Sequence, residues 1–258
     1  MREISRLGEN CDENLLKIRQ TMKKLRQAAT AFEQETVTVH DLTNWISQYE
    51  LKVKSTEERK RKEFGAELKE ELGKLGLSLS GQYPELRTGL FTIEIDFDRW
   101  KAILWYGPKQ ERLGQLDLSV KKIASRIEKA RQQLGSQLPE EELLLKLQEA
   151  YHRLPSAKRG EPAPIIRVLS ELSYLLQNSR FLQDPRRENY RSYSRADFSF
   201  DLFRIRKFQS STLFPSKLQL TVATRAHTRR RSDYLWIPGK EDGNGTTYSH
   251  LQFEERTK

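Results

Sequence analysis

Two stretches of this chain gather side chains suited to holding phosphate. In the first, Arg186, Arg187, Arg191 and Arg195 are interleaved with Tyr190 and Tyr193. In the second, Arg225 is followed by Arg229, Arg230 and Arg231. A guanidinium presents a planar fork of donors that pairs bidentately with phosphate oxygens, and a tyrosine ring offers a face on which an unpaired base stacks. These eight arginines and two tyrosines are the expected contacts to a nucleic acid, DNA or RNA. The same groups also suit an acidic protein surface, and Asp197, Asp201 and Asp233 lie near enough in the chain to compete for some of them.

A second chemistry is suggested by Glu94, Asp96 and Asp98. Carboxylates two apart share one face of a strand, where they could hold a divalent cation and serve a metal-dependent nuclease. The wet side of a half-buried sheet produces the same alternation. No Glu-x-Lys strand or His cluster accompanies it. His227-Thr228-Arg229-Arg230 with Tyr234 has the residue types of a phosphodiester-cleaving set, but packed too closely in sequence to surround a substrate.

Other chemistries lack their residues. One cysteine and four scattered histidines (40, 152, 227 and 250) exclude a zinc finger. Cys11 stands beside Glu9, Asp12 and Glu13, which disfavour its thiolate. His152 is expected to end a helix near its dipole. There is no phosphate-binding G-x-x-x-x-G-K-[ST] loop, no G-x-G-x-x-G and no internal repeat. No metal and no cofactor is therefore expected, and a non-catalytic role leads.

Charge distribution sharpens the expected partner. The net charge is +10. Residues 1–80 hold 15 Lys+Arg against 14 Asp+Glu, residues 81–150 hold 11 against 11, and residues 151–258 hold 20 against 11. A solubility charge would be spread along the chain; this one is concentrated where a polyanion would bind. The lone cysteine, the lack of an 18-residue apolar run and an N-terminal stretch MREISRLGENCDENLL without a basic-then-apolar leader lead us to expect a soluble, cytoplasmic protein with no membrane partner.

The elements that must position these residues follow from periodicity. Leu15, Ile18, Met22, Leu25, Ala29 and Phe32 alternate by three and four, which predicts a helix over about residues 10–34. Thr38 with Asp41, flanked by Val37 and Leu42, reads as a capping box with its staple. A second helix is expected from there to about Leu75, with Trp45, Ile46, Tyr49, Val53, Phe64, Leu68 and Leu72 on its seam. The short link favours an antiparallel, coiled-coil-like hairpin. Two helices have little core of their own, so the hairpin is expected to meet a protein partner or to form a layer of a larger domain. The charged run Glu57–Lys62 is expected as a solvated face.

After the Gly- and Ser-rich stretch 73–84, Leu90–Phe97 and Lys101–Tyr106 predict a β-hairpin about Asp98-Arg99-Trp100. Helices are expected over 120–134, from Pro139 to about Tyr151, and over 164–177, with a loop at 155–164. That loop is too long for a helix-turn-helix. Beyond Asn178, Phe198–Ile205 is expected as a strand with a bulge, Leu218–Thr224 as a regular strand, and 234–237 and 248–253 as two more. The whole is expected to be α+β: a helical-hairpin arm over 1–80, then an α+β domain over 81–258 whose basic region, 178–258, is a mainly antiparallel sheet. The leading function is a nucleic-acid-binding subunit of a multiprotein complex. The alternatives are a protein–protein adaptor or scaffold docking an acidic partner, and a metal-dependent nuclease.

Overall fold

A computed structural model of the chain describes residues 2–9, 11–31, 37–158, 160–211 and 216–255. Helices open the chain, a five-stranded sheet follows, and an antiparallel sheet closes it, so the α+β class holds. No helix among the described residues is long and apolar enough to cross a membrane. Two compact units divide the chain. The first is Met1–Leu79 with Ile95–Ala102 and Gln115–Ser125; the second is Ser80–Glu94 with Ile103–Gly114 and Arg126–Lys258.

In the first unit α1 (Arg2–Gly8) precedes α2 (Cys11–Ala31) and α3 (Val37–Lys74). The expected pair, α2 and α3, runs antiparallel. Arg26 meets Glu50 at 3.0 Å and Arg19 meets Glu57 at 3.9 Å, so rising numbers on one helix face falling numbers on the other. Leu15, Ile18 and Met22 are buried with Ile46 and Val53, together with Ile4 of α1 and Trp100. The seam read from the sequence is thus the packed face. Phe64, Leu68 and Leu72 farther along α3 are buried too. The capping group at Val37, Thr38, Asp41 and Leu42, the seam residues Ala29 and Phe32, and Cys11 lie outside the described side chains. Helix α1 had no counterpart in the expected elements, since one buried apolar side chain in seven residues makes no period.

The central hairpin belongs to a larger sheet. Strands β1 (Ser80–Gln82), β2 (Glu85–Thr88), β3 (Phe91–Asp96), β4 (Lys101–Tyr106) and β5 (Glu111–Asp117) follow one another in chain order across it. β1 pairs antiparallel with β2, Gly81 opposite Leu86; Gly81 has φ +95, and a Cβ there would lie 2.6 Å from the Glu85 carbonyl oxygen. At the β3–β4 turn Trp100 takes φ 52, costly for a bulky residue, and its buried ring holds it there.

Helix α4 (Val120–Gln133) leads into α5 (Glu140–His152), α6 (Pro155–Lys158), the short strand β6 (Ala163–Pro164), α7 (Ile165–Leu175) and α8 (Ser179–Gln183). Pro139 caps α5, with three glutamates in its first turn and His152 in its last, as the dipole favours. The stretch expected as a bulged strand is instead a helix, α9 (Arg195–Ser211). The three expected strands after it are present as β7 (Ser216–Val222), β8 (Leu235–Pro238) and β9 (Gly245–Glu255). β9 is the hub: β7, β6 and β8 all pair with it antiparallel. The core of the second unit joins Leu143, Leu144 and Leu147 of α5, Val168 and Leu172 of α7, Phe198, Leu202 and Ile205 of α9, and Leu235, Ile237 and Leu251 of the sheet.

Candidate nucleic-acid interface

Helix α9 fixes the framework on which both arginine clusters hang. Its start is a capping box: the Ser194 hydroxyl accepts the Asp197 N–H at 3.2 Å, and the Asp197 carboxylate accepts the Ser194 N–H at 2.9 Å. Glu111 accepts the Ala196 N–H at 2.8 Å, and Asp197 also takes the Gly135 N–H at 3.0 Å. One turn on, Asp201 is fully buried. It accepts from the Tyr193 hydroxyl at 2.8 Å, the Ser136 N–H at 2.7 Å and Arg204 at 3.1 Å. Burial raises the Asp201 pKa in spite of these donors. Arg204 also bonds Glu140 at 2.8 Å, which lowers the Glu140 pKa. The Ser199 hydroxyl donates to the Trp236 carbonyl at 2.6 Å and lies 3.2 Å from the Tyr106 hydroxyl, tying α9 to β8 and β4.

The second cluster lies on the segment joining β7 to β8. Thr224 organises it: its carbonyl accepts the His227 N–H at 3.0 Å and the Thr228 N–H at 3.2 Å, and its hydroxyl lies 3.0 Å from His227 Nδ1. The His227 ring meets that of His250 on β9 edge-on, with centroids 5.4 Å apart. Burial, and then the charge of His227, lower the His250 pKa. Arg225, Arg229 and Arg230 project from this closed turn into solvent, with no carboxylate partner among the described residues. Arg231 is different. Its guanidinium donates to the Lys109 and Gln110 carbonyls at 2.7 and 2.8 Å, and Gln110 in turn accepts the Trp236 N–H.

The first cluster divides similarly. Arg186 pairs with Asp184 at 2.9 Å, and Arg187, in a 3-10 turn, is exposed. Gln177 grips the Arg191 backbone on both sides, at 2.9 and 3.0 Å, while the Arg191 side chain donates to the Ser136 carbonyl. Arg195, first residue of α9, donates to the Tyr234 carbonyl. Burial first, and then the charge of Arg231, lower the Arg195 pKa, so the clusters approach each other at this pair. Helix α7 borders both: it touches the 3-10 turn Arg231–Asp233, and its Ser173 hydroxyl lies 3.2 Å from that of Tyr190.

The tyrosines part company. Tyr190 is exposed, with its ring tilted against Phe181 at 5.6 Å. Tyr193 is buried, its hydroxyl committed to Asp201 and its ring to the core, so it has no face to offer a base. Two hollows bordered by charged side chains lie near the clusters, the first of balanced charge, with Asp184 and Glu188 beside its arginines, and the second with a cationic excess. Arg180 joins Arg186 around one of about 490 Å³. Arg206 and Lys240 border another of about 500 Å³ floored by Phe203 and Pro238. Reading Phe198–Ile205 as a strand hid the second; only α9 carries Arg206 to that place.

The three carboxylates weighed for metal are each committed elsewhere. Glu94 accepts the Trp105 indole N–H at 3.0 Å and meets Lys109 at 3.3 Å. Asp96 accepts the Arg99 N–H at 2.9 Å, and Asp98 pairs with Arg61 at 2.9 Å. Among the described residues no group of three His, Cys, Asp or Glu is arranged to hold a metal ion. No protein-family model, no curated protein and no solved structure matches this chain.

Proposed function

We propose that this chain is a non-catalytic, cytoplasmic subunit of a multiprotein complex that binds the phosphate backbone of a nucleic acid through its C-terminal arginines. One observation carries the reading. Of the eight arginines, only Arg186 has a carboxylate partner among the described residues. Arg191, Arg195 and Arg231 are held by backbone carbonyls, which position a guanidinium without cancelling its charge. Arg187, Arg225, Arg229 and Arg230 reach outward. The exposed Arg187, Arg225, Arg229 and Arg230, with no carboxylate partner among the described residues, are open to a counter-ion from outside. Tyr190 is the remaining stacking candidate, so the binding is read as backbone-led. The helical pair α2–α3 supplies the contact to the rest of the complex.

The test is a salt titration of binding to labelled single-stranded and duplex DNA and RNA. Replacing Arg225, Arg229 and Arg230 together by Ser is expected to reduce the slope of log affinity against log salt by roughly 2–3 and to leave the melting temperature unchanged. Arg231→Ala is expected to lower stability instead, because it strips two carbonyls of their donor. Equal affinity and slope in the triple variant discard the assignment. The second reading, an adaptor that docks an acidic protein, is favoured by the burial of Tyr193, which leaves few aromatics for stacking. It predicts weak binding to all four nucleic acids with a shallow salt slope.

A further inference from the structure

Two half-buried histidines meet beside the second arginine cluster and have no part in the role given to it above. The fold brings them together by two separate devices. The turn closed by the Thr224 carbonyl carries His227, two residues from Arg225 and Arg229 and three from Arg230. A β-bulge presents His250. Thr221 of β7 lies opposite His250 but Val222 lies opposite Tyr248, so Ser249 is an extra residue on β9, and a bulge re-aims the side chains next to it. The two rings then meet edge-on, with centroids 5.4 Å apart.

The hydrogen bonds of the pair suit a change of protonation. His227 Nδ1 lies 3.0 Å from the Thr224 hydroxyl, and His250 Nδ1 lies 3.0 Å from the Ser249 hydroxyl. A hydroxyl both donates and accepts, so it serves a neutral imidazole and an imidazolium alike, whereas a carboxylate would hold the ring charged. Neither ring is paired with a carboxylate among the described residues. Thr221 on β7 and Pro164 on β6, opposite His250 across the sheet, are uncharged, and the charge that bears on His250 is that of His227. Facing His227 from β9 is His250, and its own turn carries only cations, Arg225, Arg229 and Arg230. Two imidazoliums in contact beside three guanidiniums repel, so the free protein resists the second charge. A phosphate backbone laid on the turn relieves that repulsion. Protonation and phosphate binding therefore favour each other, by the same factor in both directions.

We propose that His227 and His250 extend the arginine surface as proton-linked contacts to a nucleic-acid backbone: each takes a proton from solvent as the phosphates bind, and the chain holds nucleic acid more tightly in mildly acid than in neutral surroundings. The proposal rests on the nucleic-acid reading above and adds the pH range over which that site tightens.

Binding of the full chain to oligo-dT, which has no group that titrates in the imidazole range, is measured at about pH 7.5 and about pH 5.5. Uptake of about one proton over one pH unit is a tenfold change, so the wild type is expected to bind at least about tenfold more tightly at the lower pH, with a salt slope steeper by roughly 1–2. The double variant His227→Gln with His250→Gln should lose this gain, its two affinities agreeing within about twofold. His227→Lys carries its charge at both pH values, so its affinity at the higher pH should exceed the wild type's and its gain on acidification should be smaller. Proton NMR gives a readout that a packing role would not move: the titration midpoints of both rings should rise when oligo-dT is added. Salt-dependent binding that is equal at the two pH values, a pH gain that survives the double variant, or midpoints that stay in place overturns the proposal and leaves the arginine reading standing. Absence of salt-dependent binding at both pH values ends both.

Discussion

Asp201 and Asp117 are carboxylates with opposite pH consequences. Asp201 is fully buried, and its pKa is raised above the ordinary 3.8 because burial outweighs its three donors. The folded state therefore keeps a proton that the unfolded chain has already released. In the window from 3.8 up to the raised value the native state binds more protons, so this group's contribution to stability falls as pH rises. Asp117 is pulled down to about 2 by hydrogen bonds from Lys101 and Lys122 at 2.7 and 2.9 Å. Its contribution is full above 3.8 and is lost as pH falls toward 2, but the side chain is 54% exposed, so that pair contributes at most about 1 kcal/mol. Asp201→Asn should abolish the falling limb, since an amide neither ionises nor releases a proton. Urea midpoints across the acid range, compared between wild type and variant, check it. Parallel curves would mean that Asp201 does not titrate with folding.

At the scale of the element, α9 is the instructive case. Phe198, Phe200 and Leu202 alternate as a strand would, yet Phe198, Leu202 and Ile205 are also spaced four and three apart, and that spacing is the buried face. The helical period was dimmed because Ser199 and Asp201, both buried, place polar groups where a core stripe is expected to be apolar. A local signal was available: Ser194 with Asp197, immediately before the apolar run, is a capping box. Ser194→Ala should lower stability by about 1 kcal/mol, read as a shifted urea midpoint with unchanged slope, and Ser194→Asp should recover most of it. Elements with a strong period, α2 through α5, α7 and the β3–β4 hairpin, were legible. β1 and β5 were not, because Ser80-Gly81-Gln82 is wholly exposed and Glu111–Asp117 has no fully buried residue. The candidate site was legible as charge but not as geometry. Arg191, Arg195 and Arg231 find their carbonyls 55, 39 and more than a hundred residues away, separations at which no local pattern distinguishes an anchored arginine from an outreaching one.

Across the whole molecule, the excess of positive charge belongs to the last third of the chain, and folding confines it further. The buried Asp201 and the half-buried Asp197 of that region are already committed: Asp201 to Tyr193, Ser136 and Arg204, and Asp197 to Ser194 and Gly135. They cannot serve as counter-ions for Arg225, Arg229 and Arg230. Folding also brings Arg231 close to Arg195, distant in the chain, and this like-charge repulsion is a cost of folding that salt or a bound polyanion relieves. A polyanion that prefers the arranged arginines of the native state to a dispersed coil must raise the melting temperature by mass action, with about 2.7 kcal/mol available at a hundredfold excess over its dissociation constant. Heparin or polyphosphate at low salt is accordingly expected to raise the melting temperature by several degrees, and the rise should vanish as salt approaches about 0.5 M, where charges more than a few ångströms apart are screened. The Arg225, Arg229 and Arg230 triple variant should gain less from heparin than the wild type. An equal gain in the variant would place the polyanion elsewhere on the molecule, and a rise that survives high salt would mean that the stabilising contact is not electrostatic.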